Sequence, residues 1–70
     1  MNNRIKEIIQ ENDYKIKKII SDSGLSKSAF YLIANEEVIP SLVNARRIST
    51  ALGKTIDEVF PEQNFSTNDN

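Results

Sequence analysis

Isoleucines recur at helical spacing near the start of the chain, with charged and polar residues between them. Ile5, Ile8 and Ile9 follow an i, i+3, i+4 pattern, which is typical of a helix that buries one stripe of side chains. The spacing predicts a first helix over roughly residues 3 to 11.

A second apolar stripe follows the polar pair Asn12-Asp13. It consists of Ile16, Ile19 and Ile20, with lysines on the other face of the predicted helix. We expect this second helix to end at Ser23, because Gly24 can adopt the left-handed conformation that closes a helix. Asp13 is the better candidate for its N-cap, since Lys15 would be a poor cap.

The third segment, LSKSAFYLIAN, has the clearest helix signals. Ser26 suits the N-cap, and Leu25 and Phe30 are placed to form a hydrophobic staple, so the helix should begin at Lys27. Asn35 is the expected left-handed residue at its end. The side chains expected on its exposed face are Lys27, Ser28, Tyr31 and Leu32.

Two further helices complete the pattern. Ser41 is the expected cap of helix four, which should end at Gly53. The apolar set predicted to hold helix four is Leu42, Ala45, Ile48 and Leu52. Thr55 and Glu58 match a capping box that opens a short helix five, stopped by Pro61. The side chains that helix five should bury are Ile56, Val59 and Phe60.

The pattern divides the chain into a helical domain, residues 1–61, and a polar segment, residues 62–70, in which Phe65 is the one large apolar side chain. We expect the second segment to be a mobile tail. No strand-like alternation occurs, so the predicted fold class is all-α with five helices.

Composition limits the chemistry. The 70 residues contain neither cysteine nor histidine, which excludes disulfides, thiolate nucleophiles, imidazole bases and the usual zinc sites. No pair of titratable groups stands at catalytic spacing, so we expect a protein that is not an enzyme and has no metal or cofactor. A domain this short is marginally stable alone, which favours close helix packing and a partner chain.

Charge is informative only by position. The net charge is −1, but residues 1–30 carry six basic and four acidic side chains, whereas residues 31–70 carry three basic and six acidic ones. An anion-binding face is therefore expected in the first half. The opening MNNRIKEIIQEN is charged where a signal peptide needs apolar residues, and the longest apolar run is six residues. These features predict a cytoplasmic protein without a membrane span.

Five short motifs in order carry a family resemblance. They are the turn Gly24–Ser28, Asn35 after helix three, Pro40-Ser41-Leu42, Ala51-Leu52-Gly53, and Ile56–Phe60. With these motifs the chain from Asn3 to Phe60 resembles the Cro and phage-repressor (XRE-type) family of helix-turn-helix DNA-binding domains. The resemblance implies a five-helix, lambda-repressor-like fold with the helix-turn-helix at helices two and three.

The resemblance also implies a function, which is sequence-specific binding of double-stranded DNA by a transcriptional regulator of the repressor kind. Helix three, about residues 27–34, would enter the major groove. The residues implied at base edges are Lys27, Ser28, Tyr31 and Leu32. Those implied at phosphates are Lys15, Lys17, Ser26, Asn35 and Ser41.

A homodimer is expected as well, because one recognition helix supplies little specificity. Its expected surface is helix five with the region around Val59, Phe60 and Phe65, by position in the family and by their apolar character. The sequence departs from the family pattern at Ile16, which replaces a phosphate-binding glutamine, at Ile20, which replaces a small alanine, and at the acidic pair Glu36-Glu37. The acidic pair and the net negative charge favour an alternative function. It is a helix-turn-helix module with weak or no DNA binding that contacts another protein through Tyr31, Leu32, Val38 and Ile39, as an antirepressor or antitoxin would.

Overall fold

The computed structural model describes residues 3–61, and over this range the chain forms five α-helices and no strand. The helices are α1 (Ile5–Glu11), α2 (Ile16–Ser23), α3 (Lys27–Ala34), α4 (Leu42–Leu52) and α5 (Ile56–Val59). The fold class is therefore all-α, as the periodicity predicts. The predicted tail, residues 62–70, lies outside the described residues, and so does Phe65.

One core unites the helices. α4 is the central element, because it packs along α2 and also contacts α5. The fully buried apolar residues come from all five helices and the residue after α5; they are Ile5, Ile8, Ile19, Phe30, Ile33, Ala34, Ala45, Ile48, Leu52, Val59 and Phe60. Both isoleucine stripes reach this core, although Ile9, Ile16 and Ile20 are only partly buried. Leu42 and Ile56, both predicted to be buried, are half-buried.

The predicted dimer surface requires a correction. Val59 and Phe60 are 0% and 2% exposed, because they belong to the hydrophobic core of their own chain. Side chains that are already buried in the monomer cannot present an apolar surface to a partner. Val59 and Phe60 therefore do not belong to such a surface, and Phe65, the third predicted residue, lies outside the described residues.

The two residues before α1, Asn3 and Arg4, are hydrogen-bonded to α3 and to α5. Asn3 is buried; its Nδ2 donates to the carbonyl of Ile33 at 2.9 Å, and its Oδ1 accepts from the Ile5 N–H at 3.1 Å. The Arg4 N–H donates to the carbonyl of Val59 at 2.8 Å. α1 therefore begins two residues later than the sequence predicts, with Arg4 as its N-cap, and the Asn3 side chain links its first residue to α3.

Asp13 and Glu36 have positive φ, and their positions differ from the predicted cap of α2 and the predicted end of α3. Asp13 has φ 58° and belongs to the turn that closes α1, so it does not cap α2, whose N-cap is Lys15 with no side-chain hydrogen bond. Asn35 has φ −86°, and the left-handed residue is Glu36 at φ 64°. Helical hydrogen bonding continues through the Asn35 N–H, which donates to Tyr31 O at 2.8 Å, and this shifts the reversal by one residue.

The capping box of α5 is confirmed. Glu58 accepts hydrogen bonds from the Thr55 N–H at 2.9 Å and from the Thr55 hydroxyl at 3.1 Å, and the Thr55 hydroxyl accepts from the Glu58 N–H. The Thr55 N–H, followed by the hydroxyl, lowers the pKa of the Glu58 carboxyl below its ordinary value.

This lowered pKa predicts a specific pH dependence of stability. The charged Glu58 stabilises the fold above the pKa that the carboxyl has in the unfolded chain, and this contribution is lost as the pH falls through the lower folded-state pKa. Glu58→Gln should therefore be less stable than the parent at pH 7, and the difference should shrink toward pH 3. Urea unfolding at both pH values measures it; an equal difference at the two pH values would contradict the assignment.

Candidate nucleic-acid interface

The turn between α2 and α3 depends on Gly24. Its φ is 76°, and a side-chain Cβ at this position would stand 3.2 Å from Nη1 of Arg47, which reaches over the turn from α4. Glycine avoids both the left-handed strain and the crowding. The prediction that Gly24 ends α2 in the left-handed conformation is confirmed.

Ser23, which the sequence pattern does not identify, stabilises the same turn through two hydrogen bonds. Ser23 is buried; its hydroxyl donates to the carbonyl of Ile20 at 2.7 Å and accepts from the Leu25 N–H at 3.2 Å. The hydroxyl therefore links the last turn of α2 to the residue before the cap of α3. The signal in the sequence is a serine before a helix-ending glycine, but the pattern does not reveal its burial.

α3 is anchored on one side and open on the other. The Ser26 hydroxyl accepts from the Ala29 N–H at 3.1 Å, which confirms the predicted cap. Phe30, Ile33 and Ala34 are buried, whereas Lys27 and Ser28 are exposed and Leu32 is 40% exposed. Three of the four predicted side chains are thus exposed: Lys27 and Ser28 in the first turn of α3, and Leu32 in the second.

Tyr31 has an intermediate position. It is half-buried, and its ring stands edge-on to that of Phe30, with the ring centres 6.1 Å apart and the planes at 89°. Edge-to-face contact of this kind restrains the ring. Tyr31 therefore lies at the border of the exposed face, with its ring restrained by Phe30.

A shallow groove of about 260 Å³ runs between α2 and α3. Its walls are Ile16, Ile20 and Tyr31, and Lys17 and Lys27 line it as well. The two isoleucines that depart from the family pattern, Ile16 and Ile20, therefore form part of the apolar lining of the groove. The groove brings together Lys17, Lys27 and Tyr31, three of the predicted contact residues, from two different helices.

The charge around this groove is positive. Lys15, Lys17 and Lys27 are exposed and form no ion pair within residues 3–61, whereas Lys18 pairs with Asp22 at 3.1 Å. The α2 N-terminus also has no side-chain cap, in contrast to α3, α4 and α5. Uncapped N–H groups beside unpaired lysines are suited to an anion.

Two predicted phosphate contacts lie at the other end of α3. Asn35 is its exposed C-cap, and Ser41 is the half-buried N-cap of α4, whose hydroxyl accepts from the Asn44 N–H at 3.2 Å. Neither residue lines the groove. The loop between them contains Glu36 and Glu37, both exposed, so this end of α3 is acidic where the beginning is basic.

No family model matches the chain, and the comparisons with curated proteins and with solved structures found no match. Within residues 3–61 no group of three or more acidic, histidine or cysteine side chains is placed to hold a metal ion. None of the helices in this range is long and apolar enough to cross a bilayer.

The role of Ser23 in the turn is testable. Ser23→Ala removes the acceptor of the Leu25 N–H and the donor to Ile20, and it should cost about 1–2 kcal/mol of unfolding free energy. Ser21→Ala, at an exposed position in the same helix, is the matched control and should change stability by less than about 0.5 kcal/mol. Chemical denaturation of both variants measures their free energies of unfolding. Equal values would show that the Ser23 hydroxyl does not stabilise the turn.

Proposed function

We propose that this chain is a lambda-repressor-like helix-turn-helix protein that binds specific double-stranded DNA sequences as a homodimer and regulates transcription. The observation that carries the proposal is the α2–α3 unit. In it a glycine turn and a hydrogen-bonded serine fix two helices, and the second helix exposes a polar, basic first turn. An exposed α-helix of this kind fits the major groove, which is about 12 Å wide.

Lys27, Ser28, Tyr31 and Leu32 supply the chemistry that reads bases. The Lys27 ammonium can donate to O6 and N7 of guanine, Ser28 can bond to several bases, and Leu32 suits a thymine methyl group. Tyr31, whose ring packs edge-on against Phe30 at the border of this face, would place its hydroxyl near a base or a phosphate.

In the proposed complex, contacts with the phosphates of the DNA backbone supply the affinity for DNA. Lys15 and Lys17 flank the uncapped start of α2, Ser26 caps the start of α3, and Lys17 lines the same groove as Lys27 at the start of α3. This combination supports binding to the DNA backbone. Asn35 and Ser41 would hold the backbone beyond the other end of α3.

One recognition helix with four candidate base contacts discriminates weakly. A two-fold pair of chains reads two half-sites about 34 Å apart and multiplies the discrimination. The proposed function therefore includes a dimer.

Selection from a random duplex pool at two salt concentrations tests the proposal. We expect a palindromic consensus and binding that weakens steeply with salt. No binding at low salt would reject DNA recognition.

Two single substitutions separate the roles of the lysines. Lys27→Ala should cost about 1–3 kcal/mol and relax the preference at one position of the consensus, whereas Lys15→Ala should weaken all sequences alike. Titration of both variants against the consensus duplex and single-base variants measures the difference. If the two substitutions had equal effects on every sequence, the assignment of base and phosphate roles would be wrong.

A second candidate function is a protein-interaction module with this fold. The observations that favour it are the exposed Leu32, Val38 and Ile39 and the adjacent Glu36-Glu37. It predicts no salt-dependent binding to any duplex, so the pool selection distinguishes the two functions.

A further inference from the structure

An open cavity of about 330 Å³ lies between the last turn of α2 and one face of α4. Its lining residues are Asp22, Ser23, Val43, Arg46, Arg47 and Thr50. The four residues from α4 stand at positions i, i+3, i+4 and i+7, so they share one face of that helix. None of the six lines the groove between α2 and α3, which makes this α2–α4 cavity a separate site.

Two guanidinium groups line the α2–α4 cavity without an anionic partner. Arg46 and Arg47 are exposed, and neither forms an ion pair or a side-chain hydrogen bond within residues 3–61. Asp22, the carboxylate on the α2 side, is already paired with Lys18 at 3.1 Å. Two like charges at one cavity repel each other, and an anion between them offsets this repulsion. Guanidinium groups bind a carboxylate through paired hydrogen bonds, so the two arginines are suited to such a group.

The rest of the lining limits what kind of anion fits. Val43 is 45% exposed and supplies an apolar contact, and the exposed Thr50 supplies a hydroxyl. The Asp22 carboxylate repels an anion with two or more charges more strongly than one with a single charge. The volume lies at the small end of the range for small-molecule sites, roughly 300–1,000 Å³. The cavity therefore matches a compact molecule that has one negative charge and one apolar part.

We propose that the α2–α4 cavity binds a small organic monocarboxylate. Its carboxylate lies between the guanidinium groups of Arg46 and Arg47, and its apolar part lies against Val43. The Ser23 hydroxyl takes no part, because it already donates to the Ile20 carbonyl and accepts from the Leu25 N–H. The two arginines and Thr50 supply the polar contacts.

Arg47 connects the cavity to the turn between α2 and α3. Its Nη1 lies over Gly24, 3.2 Å from the position that a Cβ would take there. A ligand that holds this guanidinium restrains the turn, and the turn determines how α3 is placed on α2. The carboxylate would thus be an effector that acts on the recognition helix and leaves the groove at Lys17 and Lys27 open. This effector role rests on the proposed function, whereas binding of the carboxylate does not.

A two-dimensional ¹H–¹⁵N titration of the full chain with benzoate tests the site. Benzoate combines one carboxylate with a compact apolar ring. We expect saturable shifts at residues 22–24 and 43–50, with a dissociation constant of about 1 mM or tighter. Benzamide, which has the same shape without the charge, should bind about tenfold more weakly or less. Inorganic phosphate should also bind more weakly than benzoate, because Asp22 repels its second charge.

Substitutions assign the contacts. Arg46→Gln and Arg47→Gln should each weaken benzoate binding about tenfold. Arg46→Lys, which keeps the charge but loses the paired donors, should weaken binding less than Arg46→Gln. Lys6→Gln removes one charge from an exposed position on α1 and should leave the affinity unchanged. Val43→Ser should weaken benzoate several-fold and leave acetate, which has almost no apolar part, unaffected.

Circular dichroism identifies any variant that fails to fold. Because Arg47 lies over the turn, Arg46→Gln and Val43→Ser carry the comparison where Arg47→Gln is unstable. No saturable shifts up to about 10 mM benzoate would overturn the site. So would shifts confined to Lys15, Lys17 and Lys27, which would place the anion at the lysines beside the groove. Equal effects of Arg46→Gln and Lys6→Gln would overturn the assigned contacts.

The preferred duplex tests the effector role separately. Saturating benzoate should raise the affinity for that duplex about fivefold, because a restrained turn holds α3 in its binding position. An unchanged affinity would reject the effector role and leave the carboxylate site standing. A chain that binds benzoate at Arg46 and Arg47 but no duplex would reject the proposed function alone.

Discussion

Replacing Phe30 with alanine is expected to leave the chain largely unfolded. Phe30 is fully buried where α3 joins the core, and truncation of such a side chain costs about 3–5 kcal/mol. A single core in a domain this small supplies roughly the same amount of net stability. Far-ultraviolet circular dichroism and urea denaturation should show the loss of helix and of a cooperative transition.

Leu32→Ala is the matched control, because Leu32 lies in the same helix and is 40% exposed. It should change the unfolding free energy by no more than about 0.5–1 kcal/mol. A Phe30→Ala chain as stable as this control would mean that α3 is not anchored through its aromatic side chain. The position of Lys27, Ser28 and Tyr31 would then need another explanation.

The double substitution Lys15→Ala/Lys17→Ala is expected to weaken binding to every duplex. The logarithm of affinity falls with the logarithm of salt by about 0.9 for each phosphate contact, so losing two contacts should reduce the salt slope by about 2. At about 0.1 M salt this corresponds to roughly 50-fold weaker binding. Fluorescence anisotropy over a range of salt concentrations measures both quantities.

Lys6→Ala/Lys54→Ala removes the same formal charge from α1 and from the turn between α4 and α5. Because these lysines lie outside the α2–α3 unit, the control should keep the parental slope within about 1. Equal losses in the two double variants would show that net charge, rather than the face beside the groove, governs binding. That result would remove the support for phosphate contacts at the start of α2.

The five helices follow from features that act locally. Stripes of isoleucine, caps at Ser26, Ser41 and Thr55, and the left-handed Gly24 and Gly53 each depend on a few neighbouring residues, so the sequence pattern predicts them well. The same holds for the exposed face of α3, because helical periodicity and the anchored Phe30 together determine which side chains face outward.

The predictions that the structure contradicts depend on contacts that are not local in the sequence. Asp13 closes α1 instead of capping α2, and Val59 and Phe60 fill the core instead of a dimer surface, because contacts between distant segments decide these positions. Asn3 could not be identified from the pattern either. Its amide bonds the carbonyl of Ile33, thirty positions along the chain.

The groove between α2 and α3 shows the same division. The family resemblance implies DNA contacts for both Lys17 and Lys27, but that they line one groove depends on how the two helices pack. Ile16 and Ile20 depart from the family pattern. In the fold they line the groove and also pack on the core, so their bulk serves the packing of the two helices.

In the proposed complex, DNA meets the basic beginning of the α2–α3 unit. A two-dimensional ¹H–¹⁵N titration of the chain with its preferred duplex from the pool selection tests this contact surface residue by residue. We expect shifts concentrated in residues 15–17 and 26–32, with Lys6 on α1 and Asp57 on α5 unchanged. Shifts confined to α1 and α5, or no shifts at low salt, would contradict the proposed contact surface.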